Sequence, residues 1–512
     1  MIAPASTETP GGDLAALARG GRQNLVGFVL RLVARLPFLF IAGRLYGADA
    51  LGRFVSALVV IEVMAMICTV GEKRGLAQRL SEGGDENPAL VVADGLIAAL
   101  GIGLLAAGLL WLVPQPMFPS GVYTEVDRLL VLAIPMLALT EIMLAAQAYR
   151  FDIAATVRAR SVVEPWTLSL MAGALFYVAP EHGLSLAYLA SIFGAFVTAA
   201  WPFFRTYGRP RGWRPNPQRL RRLMGRGLPL AAIDTIEWGT RRLDVAILGL
   251  FVSPTAVGVY YVAQQVASLP QKLKTSFEPI LGPVLTRKLK EKDYAAIAKQ
   301  VCQVGFWITA AQAGIGLTLG IPGEAVMALA GANFIGGTGA LGLLLAAEVV
   351  AATAVVSEAA LVYVARLRNL WVSIGTIALQ AVLTVAAMLA IERFDLNENY
   401  RAAGAAGALL IALAFASIVK GWMLSRILGH PINNWRWSLV VAAAAAVVVG
   451  QGVIRFPDWF QLTIGAAAIF GTYALIIWTR GFGPEDRLLF TRKLTTEEPP
   501  AEPGIDTPGP RW

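Results

Sequence analysis

Arginines and carboxylates recur at intervals of three and four residues inside stretches that are otherwise apolar, and this pairing is the chemistry the sequence offers. Asp234, Glu237, Arg241 and Asp244 step along one helical face, and Asn24, Phe28, Arg31 and Arg35 along another. Glu62, Glu141, Lys272, Lys274, Glu348 and Glu358 are further charges set in apolar sequence. A charge near the middle of a bilayer costs about 3 kcal/mol or more, so each must face a wet cavity or an opposite charge. On one reading the arginines grip an anionic group in a central cavity and the carboxylates balance or release it. A guanidinium suits phosphate because its planar fork donates two parallel hydrogen bonds and stays charged at any working pH. On the other reading the charges pair across helices and hold a bundle together, while Lys272 and Lys274 snorkel to the interface. Glu62, Asp234, Glu237 and Asp244 are also the candidates for binding a coupling ion, proton or sodium.

The elements that position these residues follow from composition. The chain has 512 residues, 56% hydrophobic and 15% charged, far more apolar sequence than a soluble core needs. Apolar segments of about 20 residues recur along it, which is the pattern of membrane helices rather than of a barrel. Fourteen spans are expected, near 24–47, 52–72, 90–113, 128–149, 161–180, 184–204, 227–252, 255–285, 299–321, 338–364, 369–391, 402–424, 436–455 and 459–479. Basic residues gather in the loops after even-numbered spans, among them Lys73, Arg79, Arg158, Arg160, Arg219, Arg221, Arg222 and Arg226. Loops after odd-numbered spans offer little beyond Arg53, Arg128, Arg393 and Arg401. The positive-inside bias then puts both termini in the cytoplasm and explains the net charge of +9 without nucleic acid.

The first and seventh spans run on into similar sequence. Ile41–Val60 aligns without a gap on Ile247–Val266, a shift of 206 residues that matches Gly43 with Gly249, Ala50 with Ala256, Gly52 with Gly258, Ala57 with Ala263 and, upstream, Arg35 with Arg241. Duplicated halves of membrane proteins usually enclose a substrate path. The fold expected is therefore an all-α polytopic membrane protein with two six-helix lobes, related by a pseudo-twofold axis along the membrane normal around a central cavity, plus two C-terminal helices. The lobes take residues 21–205 and 227–428, joined by a basic cytoplasmic linker at 206–226, with the last two spans in 429–480. Residues 1–20 and the Pro-, Glu- and Thr-rich 481–512 are expected to be disordered cytoplasmic ends. Prolines inside spans, including Pro37, Pro135, Pro165, Pro229, Pro270 and Pro279, are expected to bend helices. The linker serves as a topology determinant and could also attract anionic membrane lipids.

Several classes are set aside. The N-terminus has no basic stretch leading into a short apolar one with a cleavage site. Cys68 and Cys302 fall in or beside spans and support neither a disulfide framework nor a thiolate metal site, and His182 and His430 stand apart without metal spacing. No phosphate-binding glycine loop precedes a Lys-Ser or Lys-Thr pair, so neither a nucleotide nor any other cofactor is expected, and transport must draw on an ion or substrate gradient.

Arg44-Leu45-Tyr46-Gly47 followed by Gly52-Arg53-Phe54 resembles the start of the second helix in bacterial polysaccharide flippases. Asp244–Gly249 leading to Val257-Gly258-Val259-Tyr260, Ala263, Pro279 and Pro283 resembles their second lobe, and Val326–Phe334 with Gly331 resembles the segment before their tenth helix. These flippases belong to the multidrug, oligosaccharidyl-lipid and polysaccharide exporter superfamily, and the resemblance extends over residues 20–480. It implies a non-enzymatic flippase in the bacterial inner membrane that turns undecaprenyl-pyrophosphate-linked oligosaccharide from the cytoplasmic to the periplasmic leaflet for surface polysaccharides such as lipopolysaccharide or exopolysaccharide. The pyrophosphate would meet Arg35 and Arg241, with Arg31 nearby, and contacts with a polysaccharide polymerase and a chain-length regulator are implied as well. The alternatives are a cation-coupled multidrug antiporter of the same superfamily, whose branch uses acidic residues where this chain has Arg31 and Arg35, and a lipid II flippase, whose first two helices carry a denser set of arginines.

Overall fold

The computed structural model describes residues 37–82, 87–208, 210, 213, 214, 216–240, 242–271, 289, 292–483 and 486; the side chains of 229, 232–234, 236–240 and 399 lie outside that description. The described residues form helices and no strand. Fifteen longer helices carry the architecture. In chain order they are α1 (Gly47–Cys68), α2 (Glu72–Glu82), α3 (Pro88–Leu112), α4 (Ala133–Tyr149), α5 (Glu164–Phe176), α6 (Gly183–Tyr207), α7 (Pro217–Thr240) and α8 (Leu243–Phe251). The remainder are α9 (Pro254–Gln271), α10 (Tyr294–Gly320), α11 (Thr338–Val364), α12 (Arg366–Arg393), α13 (Glu398–Leu428), α14 (Trp437–Val453) and α15 (Ala466–Ile476). Eight helical stretches among the described residues are long and apolar enough to cross a membrane, and α14 is a shorter apolar helix. The chain is a multi-pass membrane protein.

Local sequence sets the boundaries. The first expected span ends at Gly47, whose φ of 81° is open to glycine and turns the chain into α1. Asn87 caps α3 through its side chain while Pro88 fills the first turn, where no backbone donor is needed. Thr124 and Asp127 form a reciprocal capping box ahead of α4. Pro165, lacking an N–H, follows a π-helical stretch at Val157–Val163, so the fifth span carries a widened turn.

Span seven differs from expectation. A continuous helix with four charges on one face gives way to α7 and α8 separated by a non-helical Arg242 at φ −128° and ψ −2°. Asp244 therefore opens a second, nine-residue helix instead of extending the stripe of Asp234 and Glu237. The linker is also shorter than expected, because α7 begins at Pro217.

α1, α3, α4, α5 and α6 pack together as one bundle, α10 to α13 form a second, and α14 and α15 lean on α10. The two bundles meet chiefly where α1 crosses α9. One apolar core runs continuously through this crossing, from Phe38 and Leu51 through Ile142 and Tyr260 to Leu345 and Ala406. α12 is inverted in polarity: it buries Asn369, Thr376, Gln380 and Thr384 and turns Leu367, Trp371, Val382 and Leu389 outward. An outward face in lipid is solvated by hydrocarbon, so the polar residues go inward to find partners.

Candidate functional site

The three motifs singled out in the sequence meet at one end of the bundle. Gly52 of α1 lies against Pro254 and Gly258 of α9, and Gly258 lies against Ala48 and Gly52. The contact is reciprocal under the 206-residue shift, since Ala48 aligns with Pro254 as Gly52 does with Gly258. A Cβ on Gly52 would stand 2.5 Å from the Pro254 carbonyl carbon and 2.9 Å from the Gly258 nitrogen, and one on Gly258 would stand 3.0 Å from the Ala48 carbonyl carbon. Small residues spaced four apart on both helices allow this backbone approach. Arg44 adds a bridge, its Nε donating to the Leu329 carbonyl at 2.9 Å. Gly43 abuts Ala330, and Gly337 abuts Val259 and Met327. Together these contacts seal the end at which α1 and α9 begin.

Deeper in the first bundle the π-helical stretch presents Arg160 to two carboxylates. Its Nη2 pairs with Glu141 Oε1 at 2.5 Å and its Nη1 with Glu164 Oε2 at 2.6 Å, while Lys73 Nζ reaches Glu141 Oε2 at 3.2 Å. The Arg160 side chain is 14% exposed, and its Nε has no hydrogen-bond partner. Buried Tyr188 of α6 shares the electrostatic environment of Glu62, Glu164, Arg160 and, from the second bundle, Tyr261. Among the described residues Glu141 and Glu164 thus share Arg160, with Lys73 on Glu141, in a region formed by α4, the π-helical turn and α5, and Glu62 of α1 and Tyr188 of α6 lie in the same electrostatic neighbourhood. Lys73 and Arg160, read from the sequence as loop charges that set topology, also pair with these carboxylates.

Across the crossing, Asp244 is enclosed. Val245 N–H donates to Oδ1 at 2.9 Å, the Tyr260 hydroxyl to Oδ2 at 2.6 Å, and Gln264 Nε2 to both oxygens. Arg242 Nη1 donates to Gln264 Oε1 at 3.2 Å, and its guanidinium lies 5.8 Å from the centre of the Tyr261 ring. Arg242 sits at the break in span seven, where helix geometry lapses at mid-span. Broken helices at membrane depth are the usual place for ligand contacts.

Of the residues expected from the sequence, Arg31, Arg35, Arg241, Lys272 and Lys274 lie outside the described residues, as do the side chains of Asp234 and Glu237. Glu62 and Asp244 are placed as above. Glu358 pairs with Lys420 Nζ at 3.0 Å, and Lys420 also donates to Ser373 Oγ at 3.0 Å. Sequence reasoning passed over Glu164, Arg242 and Lys420 and took Arg160 only for a loop charge. Arg160 and Glu164 stand four apart just before a proline, which was the available signal. Among the described residues no group of three or more His, Cys, Asp or Glu could hold a metal ion.

Residues 41–310, more than half of the chain, match the family described as polysaccharide biosynthesis protein. No curated protein matches the chain in sequence. Among solved structures it is similar to the lipid II flippase MurJ in an inward closed conformation, with TM-score 0.64, 10% identity, and coverage of 89% of this chain and 99% of that one. It is similar too to an inward-facing multidrug resistance MATE family transporter of the MOP superfamily, with TM-score 0.63, 16% identity, and coverage of 78% and 95%. A MOP superfamily transporter from Pyrococcus furiosus aligns with TM-score 0.56, 15% identity, and coverage of 81% and 95%. At these identities the likeness is one of fold. Matched in sequence from the end of its first span into its tenth helix, and in shape along most of its length, the chain belongs to the polysaccharide biosynthesis protein family, on the fold of the MOP superfamily.

Proposed function

We propose that this chain is a flippase moving undecaprenyl-pyrophosphate-linked oligosaccharide from the cytoplasmic to the periplasmic leaflet of the bacterial inner membrane by alternating access. The observation that carries the reading is the glycine seal between two bundles of a polysaccharide biosynthesis family member. With the basic loops in the cytoplasm, α1 and α9 begin on the periplasmic side, so the seal bars that side while cargo enters from the other. Arg35 and Arg241, with Arg31, grip the pyrophosphate, Arg242 adds a donor at the helix break, and Lys272 and Lys274 are further groups for the anionic cargo. Glu62, beside the Arg160 network, and Asp234 and Glu237 are the groups for a coupling ion. Asp244, with both oxygens occupied, holds α8 on α9. The product passes to a polymerase and a chain-length regulator.

The test is the leaflet location of the lipid-linked oligosaccharide in cells carrying wild type, Arg35→Ala, Arg241→Ala or Arg35→Lys. Cytoplasmic accumulation in the alanine variants at normal protein level, with at most partial rescue by lysine, is expected. Undiminished flipping in both alanine variants would remove the arginines from the cargo path. The interior carboxylates and the shape shared with a MATE transporter favour one second reading, a cation-coupled multidrug antiporter. That antiporter would tolerate loss of Arg35 and Arg241 and would extrude organic cations from proteoliposomes. A lipid II flippase would instead sustain peptidoglycan synthesis.

A further inference from the structure

The cytoplasmic start of α7 carries a face that the transport reading does not use. Between Trp213 and Arg226 the sequence holds five arginines and no acidic residue. Leu223, Gly227 and Ala231 turn toward the first bundle and are buried there. Trp213 Nε1 donates to Asp94 at 2.8 Å, and Arg226 pairs with Glu82 at 3.3 Å, which pins the segment in place. The opposite side presents Arg221 and Arg222, and Arg214 precedes it; all three are exposed and have no ion pair among the described residues. Met224 and Leu228, 46% and 63% exposed, adjoin these arginines toward the membrane.

We propose that this face docks on anionic phosphoglyceride headgroups of the leaflet it adjoins. The spacing fits: Arg222 precedes Leu228 by six residues, about 9 Å of helix rise, against a headgroup layer of roughly 5 to 8 Å. With exposed Leu228 taken as the point of entry into hydrocarbon, Arg221 and Arg222 would stand near phosphate level. The exposed charge on this face is positive, the helix packs on the first bundle through Leu223, Gly227 and Ala231, and Met224 and Leu228 are exposed beside it. A sequence signal needed only to orient insertion would not require the folded helix to present Arg221 and Arg222 exposed and without an ion pair among the described residues.

The experiment is native mass spectrometry of the full-length chain in neutral detergent, titrated with phosphatidylglycerol, phosphatidylcholine or a polyprenyl pyrophosphate. Each exposed arginine at an anionic surface is worth about a fivefold gain in affinity, so Arg221→Gln/Arg222→Gln should lower phosphatidylglycerol binding by roughly 25-fold and leave phosphatidylcholine unchanged. Arg221→Lys/Arg222→Lys should keep the preference, because headgroup attraction needs charge and not a guanidinium fork. Equal phosphatidylglycerol binding by wild type and the glutamine variant would overturn the proposal. So would a variant that loses only the polyprenyl pyrophosphate, since the face would then be a cargo site.

Discussion

Replacing Gly52 with alanine should unseal the end of the bundle that is closed here. The added carbon would meet the Pro254 carbonyl carbon at 2.5 Å and the Gly258 nitrogen at 2.9 Å, while ordinary contact begins at 3.4 Å. The neighbours are backbone atoms on a helix and cannot swing aside, and the Pro254 carbonyl oxygen is nearer still, so α1 and α9 must part by more than about 1 Å, and a radial gap of about 1 Å already forfeits up to half of each dispersion contact. Overpacking of this kind costs about 3 kcal/mol at the upper end, which moves a two-state equilibrium about 150-fold toward the open arrangement. The assay is double electron–electron resonance between spin labels at the exposed, shift-related positions Asp49 and Thr255. Wild type should show a short distance, and Gly52→Ala should lose most of it. Gly258→Ala should do the same, because the contact is reciprocal. The double variant should add little to either, since the helices are already apart. An unchanged short distance in Gly52→Ala would refute the reasoning, as would full additivity of the two substitutions.

Other expectations can be checked by simpler means. Arg160→Met leaves Glu141 and Glu164 facing each other without their shared cation and should cost about 3 to 5 kcal/mol in detergent unfolding, with Arg160→Lys recovering only part because lysine lacks the fork. For the Lys420–Glu358 pair the two halves should differ. The Lys420 side chain is 5% exposed and that of Glu358 44%, so Glu358→Gln, which strands the buried ammonium, should destabilise more than Lys420→Met. Asp486, beyond the last span, is pushed up by burial but held below the usual carboxylate range by hydrogen bonds from Arg436, Gly483 N–H, Gln303 and Trp307. A lowered folded pKa stabilises above the unfolded value of about 3.9 and stops doing so as pH falls through the folded one. The fluorine resonance of fluorotryptophan at Trp307 should therefore hold steady from neutral pH to about 4 and shift below it, whereas Asp486→Asn should show the shifted signal at neutral pH.

Much of the fold was legible because a bilayer imposes length and hydropathy on each element; the tenth span was expected at 338–364 and α11 is Thr338–Val364. The glycines of the seal were also legible, since Gly52 and Gly258 stood in register in the repeat before any contact was known. The interior charges were harder. Arg160 looks like any loop arginine until the π-helical turn before Pro165 brings it onto Glu141, nineteen residues away. Lys420 lies in a run of apolar sequence whose partner is 62 positions distant. Periodicity reports which residues share a face and is silent on what that face meets. Hence Thr376, Gln380 and Thr384, four apart, could be grouped but not turned inward. The break at Arg242 escaped for a related reason: the charge spacing on either side of it is helical, and only the non-helical backbone of Arg242 distinguishes two rods from one.

The crossing of α1 and α9 also sets how the two bundles can move. Ala48, Gly52, Pro254 and Gly258 bring no flexible side chain to it, so parting them frees no rotamers and re-forming the contact freezes none. Such a junction works as a smooth bearing: the ridge of one helix can roll out of the groove of the other and return to the same register. At this crossing the cost of opening is then lost backbone contact with little rotamer entropy to offset it, so the balance between closed and open rests on how closely the two glycines let the helices approach.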